Sequence, residues 1–436
     1  MVQFYSVKRR VTTRQKITAI IDDVDGSGQG VAHYKGKTIF IPGALPGEQV
    51  DVELVEDKRR WAKGEMKKCS GDNPERRQPR CIYFHRCGGC QLQHMSASLQ
   101  QQSKSASLRR LLRDSGVTEN EPIEILSGES YGCRRRARLG LLYAQGKLQM
   151  GYRQEASDKL VSVHECPVLV PVLGALLVPL YETLSSLQAV KRLGHVELVM
   201  ADNGPVVSVR HLEKLSGSDR EKLECFSHKL HLALFLAPET DTLEQITGEE
   251  PWYQICDLQL TFSPQDFIQI NRGLNEKMVQ LALSWLALTR EDRLLDLFCG
   301  MGNFSLPASE KVKSVVGVEG VEALVARAKY NAVCNQLHNV SFYQHNLEND
   351  VKDQPWAREG FSKVLLDPAR AGAPGVMGHI VNLSPQAVVY VSCNPTTLAR
   401  DSQALIAAGY EIKRIALLDM FPHTAHVESM VLFSRK

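Results

Sequence analysis

The rhythm of hydrophobic and polar positions changes twice along the chain. Over residues 15–68 the apolar positions come in short β-rich stretches, 17–21, 38–41 and 49–55. They are separated by Gly26-Ser27-Gly28-Gln29-Gly30 and Pro42-Gly43-Ala44-Leu45-Pro46-Gly47. Short strands punctuated by glycine and proline at this spacing predict a small β-barrel. Residues 96–113 then read as a helix. Arg136, Arg138 and Gly140 alternate with Ala137, Leu139 and Leu141, a period of two that predicts a strand with its cations on one face. The runs 195–202 and 205–212 meet at Asn203-Gly204, the chemistry of a tight hairpin turn, and 252–262 adds further β character. From Arg272 onward the pattern becomes alternating helix and strand. Strands are expected at 293–298, Ser314–Glu319, Val340–Gln344, 363–367, Ala387–Ser392, 412–418 and 429–434, with helices at 321–336 and 396–408. Such alternation predicts an α/β doubly wound sheet. The expected organisation is a barrel over 1–70, a β-rich central domain over 71–270 and a Rossmann-like α/β domain over 271–436.

Composition narrows the classes. With 43% hydrophobic and 23% charged residues in 436, the chain has the make-up of a soluble protein with several cores. The net charge of +3 conceals an asymmetry: residues 1–110 hold 20 Lys/Arg against 11 Asp/Glu, a balance of +9 that leaves −6 for the rest. A basic first quarter suits a polyanion. The longest apolar run, 166–181, is broken by Pro167, Pro171 and Pro179, so no membrane span is expected. The basic start at 1–10 lacks the apolar segment of a signal peptide, and eleven scattered cysteines fit a reducing cytoplasm.

Several motifs carry candidate chemistry. Lys58-Arg59-Arg60-Trp61-Ala62-Lys63 sets cations beside an indole, which suits a nucleic-acid backbone and base stacking, and here the barrel segment resembles a TRAM domain. The arginines of 134–138 offer a second phosphate-facing surface. Cys81, Cys87 and Cys90, with Cys166 as a fourth, form a metal-type set that by its residues alone suits zinc or an iron-sulfur cluster equally. Asp296-Leu-Phe298-Cys-Gly300-Met-Gly302-Asn303 follows a strand and opens a helix. Glu319 ends the next strand at the distance expected of a ribose-binding carboxylate. A third glycine is missing, which favours a nucleoside cofactor without a pyrophosphate, and S-adenosyl-L-methionine fits. Asn346 and Asp367 follow later strands of the same edge, and 265–271 precedes the first helix of the domain. Cys393, at the end of a buried strand, is placed as a nucleophile. Glu428, beside Val427 and Met430, is placed as a base whose pKa its apolar surroundings raise.

Together the TRAM segment, the four cysteines, Phe267-Ile-Gln269-Ile-Asn271, Asp296-Leu-Phe-Cys-Gly300 and Ser392-Cys393-Asn394-Pro395 resemble the RNA (uracil-C5)-methyltransferase family over essentially the whole chain. The closest likeness is to its branch acting on bacterial 23S ribosomal RNA. The resemblance implies an S-adenosyl-L-methionine-dependent enzyme of the cytoplasm, a monomer that acts on unfolded or single-stranded RNA. By it Gln269, Phe298, Asn303, Glu319, Asn346 and Asp367 contact the cofactor. Cys393 attacks C6 of the uracil, Glu428 removes the C5 proton, and Cys81, Cys87, Cys90 and Cys166 hold a [4Fe-4S] cluster. Many relatives read Asp-Pro-Pro-Arg where this chain has Asp367-Pro-Ala369-Arg370, a departure that leaves the aspartate in place. A tRNA-directed paralogue and a non-catalytic RNA-binding iron-sulfur protein are the competing expectations.

Overall fold

The computed structural model describes residues 15–117, 121–155, 157–239 and 242–435; the basic start at 1–10 lies outside them. Six strands from Lys16–Ile20 to Trp61–Ser70 form the N-terminal barrel, whose inward residues include Ile17, Ile39, Ile41, Val50, Val52 and Ala62. Gly64 is needed there because a Cβ would stand 2.1 Å from Val52 Cγ1.

A seven-stranded sheet follows. Its strands run in the order Leu160–Ser162, Lys147–Arg153, Arg136–Ala144, Leu193–Ala201, Gly204–His211, Ala233–Ala237 and Glu244–Thr247. The Asn203-Gly204 hairpin forms as its turn chemistry requires, with Ala201 paired to Gly204. Two helices on this sheet were not expected. The apolar run is a helix, Pro171–Ser185, because Pro171 takes the first turn, where its missing N–H costs nothing, and the buried leucines outweigh Pro179 inside it. The polar stretch after Glu213 opens the helix Gly217–Lys229, started by the Ser216 hydroxyl accepting from the Asp219 N–H at 3.2 Å.

The third sheet has eight strands in the order Val340–Gln344, Ser314–Glu319, Arg293–Leu297, Lys363–Leu366, Ala387–Ser392, Glu428–Arg435, Tyr410–Leu418 and Ile123–Leu126. The first five are parallel, and Glu428–Arg435 runs antiparallel to both its neighbours. Apolar clusters on both faces, around Val389 and Leu294 on one side and Tyr390 and Leu295 on the other, make it doubly wound as expected. The 71–270 segment, expected as one unit, divides. The strand Ile123–Leu126 extends the third sheet, and the helix Ala97–Asp114 buries Leu108 and Leu112 against Leu398, Leu405 and Ile415. The hairpin of Trp252–Ile255 and Leu258–Thr261 forms its own two-stranded ribbon and packs into the C-terminal core through Tyr253 and Leu260.

Candidate active site

In an open parallel sheet a ligand binds beyond the carboxyl ends of the strands, where adjacent strands lead off in opposite directions. Here that point lies between Arg293–Leu297 and Lys363–Leu366, and the loops after them carry Phe298 to Asn303 and Asp367. The first loop is tightly wound. Phe298 sits at φ 61°, Gly300 at 55° and Gly302 at 100°. Phe298 thus holds a left-handed backbone that usually falls to glycine, at a cost of about 1–3 kcal/mol, and such conformations gather at ligand sites. A Cβ on Gly302 would meet the Leu306 side chain at 2.7 Å.

Carboxylates crowd this edge. Asp296 is fully buried, with Oδ2 accepting from the Ser305 hydroxyl and Oδ1 without a hydrogen-bond partner. Burial, reinforced by Asp367 and Glu319, pushes its carboxyl up to about 7 against the Ser305 hydrogen bond. Burial also pushes Asp367 up to about 7. Glu319 holds the loop in place: its oxygens accept from the N–H of Gly300 at 3.1 Å and of Val321 at 3.0 Å.

The other expected cofactor residues are found in different states. Gln269 is buried, and its carbonyl accepts from Arg135 Nε at 2.7 Å. Asn346 is exposed in the turn after Val340–Gln344, with Oδ1 accepting from the Glu348 N–H at 3.0 Å. Asn303 is locked in a reciprocal amide pair with Asn275, at 2.9 and 3.0 Å, and accepts from the Tyr253 hydroxyl at 3.1 Å. Asn275 and Tyr253, which the motif reading did not single out, therefore fix its orientation.

Cys393 and Glu428 are brought together by strand register. Ser392 pairs with Ser429, so the next position in each direction sets Cys393 beside Glu428 at the same sheet edge. The turn around the thiol is fixed. Asn394 caps the helix Pro395–Ala407, donates from Nδ2 to the Arg370 carbonyl at 2.9 Å, and exchanges hydrogen bonds with the Ser392 hydroxyl. Cys393 is half-buried rather than sunk in the core. Burial, with Glu428 and Asp367 close by, pushes the thiol up to about 11, and only Arg370 among the named neighbouring side chains opposes this. Glu428 is 4% exposed, and burial, reinforced by Asp367, holds its carboxyl well above the usual range. The raised carboxyl matches the expectation for an apolar site. The thiol is held the other way: in this state burial and the two carboxyls suppress the ionisation that a nucleophile needs.

The four cysteines also converge. Cys81, Cys87, Cys90 and Cys166 line one partly open cavity with Phe84, Tyr152 and Arg134. Burial raises all four thiols, Cys90 to about 11. The Tyr152 hydroxyl there is buried and has no hydrogen-bond partner. Among the described residues no group of three or more His, Cys, Asp or Glu is arranged to hold a metal ion.

The second phosphate surface is largely spent on structure. Arg135 is buried against the Gln269 carbonyl, and Arg136 pairs with Glu197 at 2.6 Å and donates to the carbonyls of Pro264 and Asp266. Arg138 stays exposed. In the barrel, Lys58, Arg59 and Arg60 occupy an exposed turn, and the Trp61 ring meets Phe40 edge-on at 6.5 Å. Among the described residues no helix is long and apolar enough to cross a membrane.

Comparison with known proteins gives this arrangement a family. A model described as tRNA (Uracil-5-)-methyltransferase matches residues 96–436, and one for the TRAM domain matches 10–67. The chain is 59% identical to the 23S rRNA (uracil(1939)-C(5))-methyltransferase RlmD of Erwinia tasmaniensis, covering 100% of both chains. It is likewise 59% identical to the RlmD of an Enterobacter species, over 99% of this chain and 100% of that one. Among solved structures, the Pyrococcus abyssi tRNA (uracil-54, C5)-methyltransferase in complex with S-adenosyl-L-homocysteine superposes with a TM-score of 0.74. It covers 96% of this chain and 100% of that one, and at 23% identity the likeness is one of fold.

Proposed function

This chain belongs to the tRNA (uracil-5-)-methyltransferase family, and from that premise we propose that it methylates C5 of a uridine in 23S ribosomal RNA, at the position equivalent to uracil 1939, through a covalent Cys393 adduct. The observation that carries the chemistry is the register that sets Cys393 beside Glu428 at the cofactor edge of the sheet. The full-length 59% identity to 23S enzymes favours ribosomal over transfer RNA. Methylating unmodified 23S RNA and mapping 5-methyluridine tests this. A product at that single uridine supports the reading, and methyl transfer to tRNA alone rejects it.

The crowded carboxylates fit a cationic ligand. Gln269, Phe298, Asn303, Glu319, Asn346 and Asp367 would hold S-adenosyl-L-methionine, which when bound supplies a methyl group on a positively charged sulfur. The unpartnered Asp296 Oδ1 and the raised carboxyls of Asp296 and Asp367 are relieved by positive charge nearby. The sign follows: a cation competes with protons for these groups, so it binds more weakly below pH 7 and more tightly above. Titration calorimetry between pH 6 and 8 in buffers of different ionisation enthalpy is expected to show proton release on binding. An affinity flat across pH 7 contradicts the assignment.

Cys393 supplies what uracil lacks. C5 is a poor nucleophile until the C5–C6 double bond is broken, and sulfur addition at C6 places enolate character on C5. After methylation Glu428 takes the C5 proton, the double bond re-forms and the C6–S bond breaks, freeing Cys393. The target base must leave its stack to reach the thiol, which unpaired RNA allows at least cost.

We propose further that Cys81, Cys87, Cys90 and Cys166, which line one cavity, hold a [4Fe-4S] cluster. Four buried thiols are costly as separate thiolates but suit one shared cationic centre, and the Tyr152 hydroxyl can donate to a cluster or cysteine sulfur. A single zinc ion would need all four sulfurs at about 2.3 Å from one point, and the metal that the purified protein carries tells the two apart. Protein purified without oxygen is expected to be brown, with iron and acid-labile sulfide in equal amounts. Colourless protein carrying zinc rejects the cluster.

A further inference from the structure

The strand that begins at Glu428 is preceded by a loop, residues 419–427, whose anchors come from a distant part of the chain. Asp419 donates its N–H to the Leu126 carbonyl at 2.8 Å. Lys104, 1% exposed, reaches Asp419 Oδ1 at 2.8 Å and the Phe421 carbonyl at 3.0 Å. Gln100, equally buried, accepts the His423 N–H at 2.8 Å, while its Nε2 donates to the carbonyls of Leu92 and Met95 at 3.1 and 3.0 Å. The His423 carbonyl accepts two backbone N–H groups, from Gln91 at 2.8 Å and Leu92 at 2.9 Å, and its ring lies 4.3 Å from that of Tyr131. His423 is held at φ 63°. Such a backbone persists only where its surroundings fix it from several sides.

Gln100 and Lys104 share the buried stripe of the helix Ala97–Asp114 with Leu108 and Leu112. Polar side chains at core positions are expensive unless fully partnered, and here the partners are loop groups. Gln91 directly follows Cys90, so the same loop that lines the cysteine cavity grips the His423 carbonyl.

We propose that Gln100 and Lys104 are positioning residues for Glu428: with the N–H groups of Gln91 and Leu92 they clamp the 419–424 loop and set the carboxylate where it takes the C5 proton. The proposal rests on Glu428 being the base. In the step concerned the C5–H bond breaks, its proton passes to the Glu428 carboxylate, its electron pair forms the C5–C6 double bond, and the C6–S bond breaks to leave the Cys393 thiolate. A displaced carboxylate slows this step, whereas it takes no part in forming the C6–S bond or in methyl transfer, and its withdrawal from the thiol does not hinder addition.

The test uses full-length Gln100→Ala, the double variant Lys104→Met/Asp419→Leu, and Glu428→Gln as reference. The double variant replaces a buried ion pair by apolar groups of similar volume, an exchange that folds tolerate, and it decides the matter if Gln100→Ala fails to fold. Each is assayed with S-adenosyl-L-methionine on a 23S RNA fragment carrying either uridine or 5-fluorouridine at the target. Fluorine cannot leave as a proton does, so adduct formation on the second RNA does not depend on the base. The clamp variants should trap 5-fluorouridine RNA at no less than about half the wild-type rate, yet turn over uridine RNA about 10- to 100-fold more slowly. They should also accumulate denaturant-stable adduct on uridine RNA and exchange amide hydrogens faster over 419–427. An equal fall in both rates, or unchanged turnover while Glu428→Gln accumulates adduct, overturns the clamp and leaves the base in place. If Glu428→Gln releases uridine RNA as fast as wild type, the base assignment fails and the clamp with it.

Discussion

Cys393→Ala is expected to abolish methyl transfer, with kcat falling by at least about 10⁴-fold, the scale on which removal of a covalent nucleophile is felt. Alanine leaves the Ser392–Asn394 turn and the helix cap intact, since the hydrogen bonds there belong to Ser392, Asn394 and Arg370 rather than to the sulfur. Binding of the methyl donor and the melting temperature should therefore change little. A large loss of fold would instead make the residue a core cysteine. The free thiol carries its own pH signature. Burial and the neighbouring carboxyls hold it up at about 11. Without the donor, its alkylation by iodoacetamide should therefore rise about tenfold per pH unit from pH 7 upward and level off near that value. A plateau below pH 9 contradicts the electrostatics described for the site.

Glu428→Gln comes next in size, at about 10²- to 10⁴-fold in kcat, the range of a lost general base. The amide keeps the volume and removes the proton acceptor, so loss falls on release rather than attack. Enzyme and uridine RNA should accumulate as a methylated, denaturant-stable complex, whereas Cys393→Ala accumulates none. The two variants thus fail at different steps, and loss of activity without accumulated complex in Glu428→Gln removes the base from the mechanism. Because burial and Asp367 hold the Glu428 carboxyl well above its usual range, the ionised base becomes available as pH rises. The wild-type rate should rise with pH on the acid side, and this limb should be absent from Glu428→Gln.

The doubly wound sheet is legible in the sequence because buried parallel strands such as Ala387–Ser392 are unbroken β-branched runs ending in turn residues. The Asn203-Gly204 hairpin is legible because its turn geometry nearly demands that dipeptide. Elements decided at long range are not. Ile123–Leu126 is a short apolar run like many others, and nothing local says that it will pair beside Tyr410–Leu418. Pro179 hides the helix Pro171–Ser185, since local propensity argues against what leucine burial on the central sheet enforces.

The site divides in the same way. Cys393 and Glu428 stand out by their neighbours in sequence, but their juxtaposition depends on a register that only the folded sheet fixes. That the thiol is suppressed by Glu428 and Asp367 follows from the same juxtaposition. The amide lock on Asn303 is a contact of three separate elements and leaves no local mark. Gln100 and Lys104 did leave one: polar residues at four-residue spacing in line with Leu108 and Leu112, where a core stripe should be apolar. The Arg134 to Arg138 cluster misleads, because sequence shows its cations and not the Glu197 carboxylate and backbone carbonyls that occupy Arg135 and Arg136.

The central claim is a bond between one sulfur and one ring carbon, and mass spectrometry after denaturation reads it directly. Incubated with S-adenosyl-L-methionine and 23S RNA bearing 5-fluorouridine at the target, wild-type protein should gain the mass of the methylated nucleotide, and peptide mapping should place it on Cys393. A complex that forms equally with Cys393→Ala, or a modified peptide carrying any other cysteine, contradicts the account.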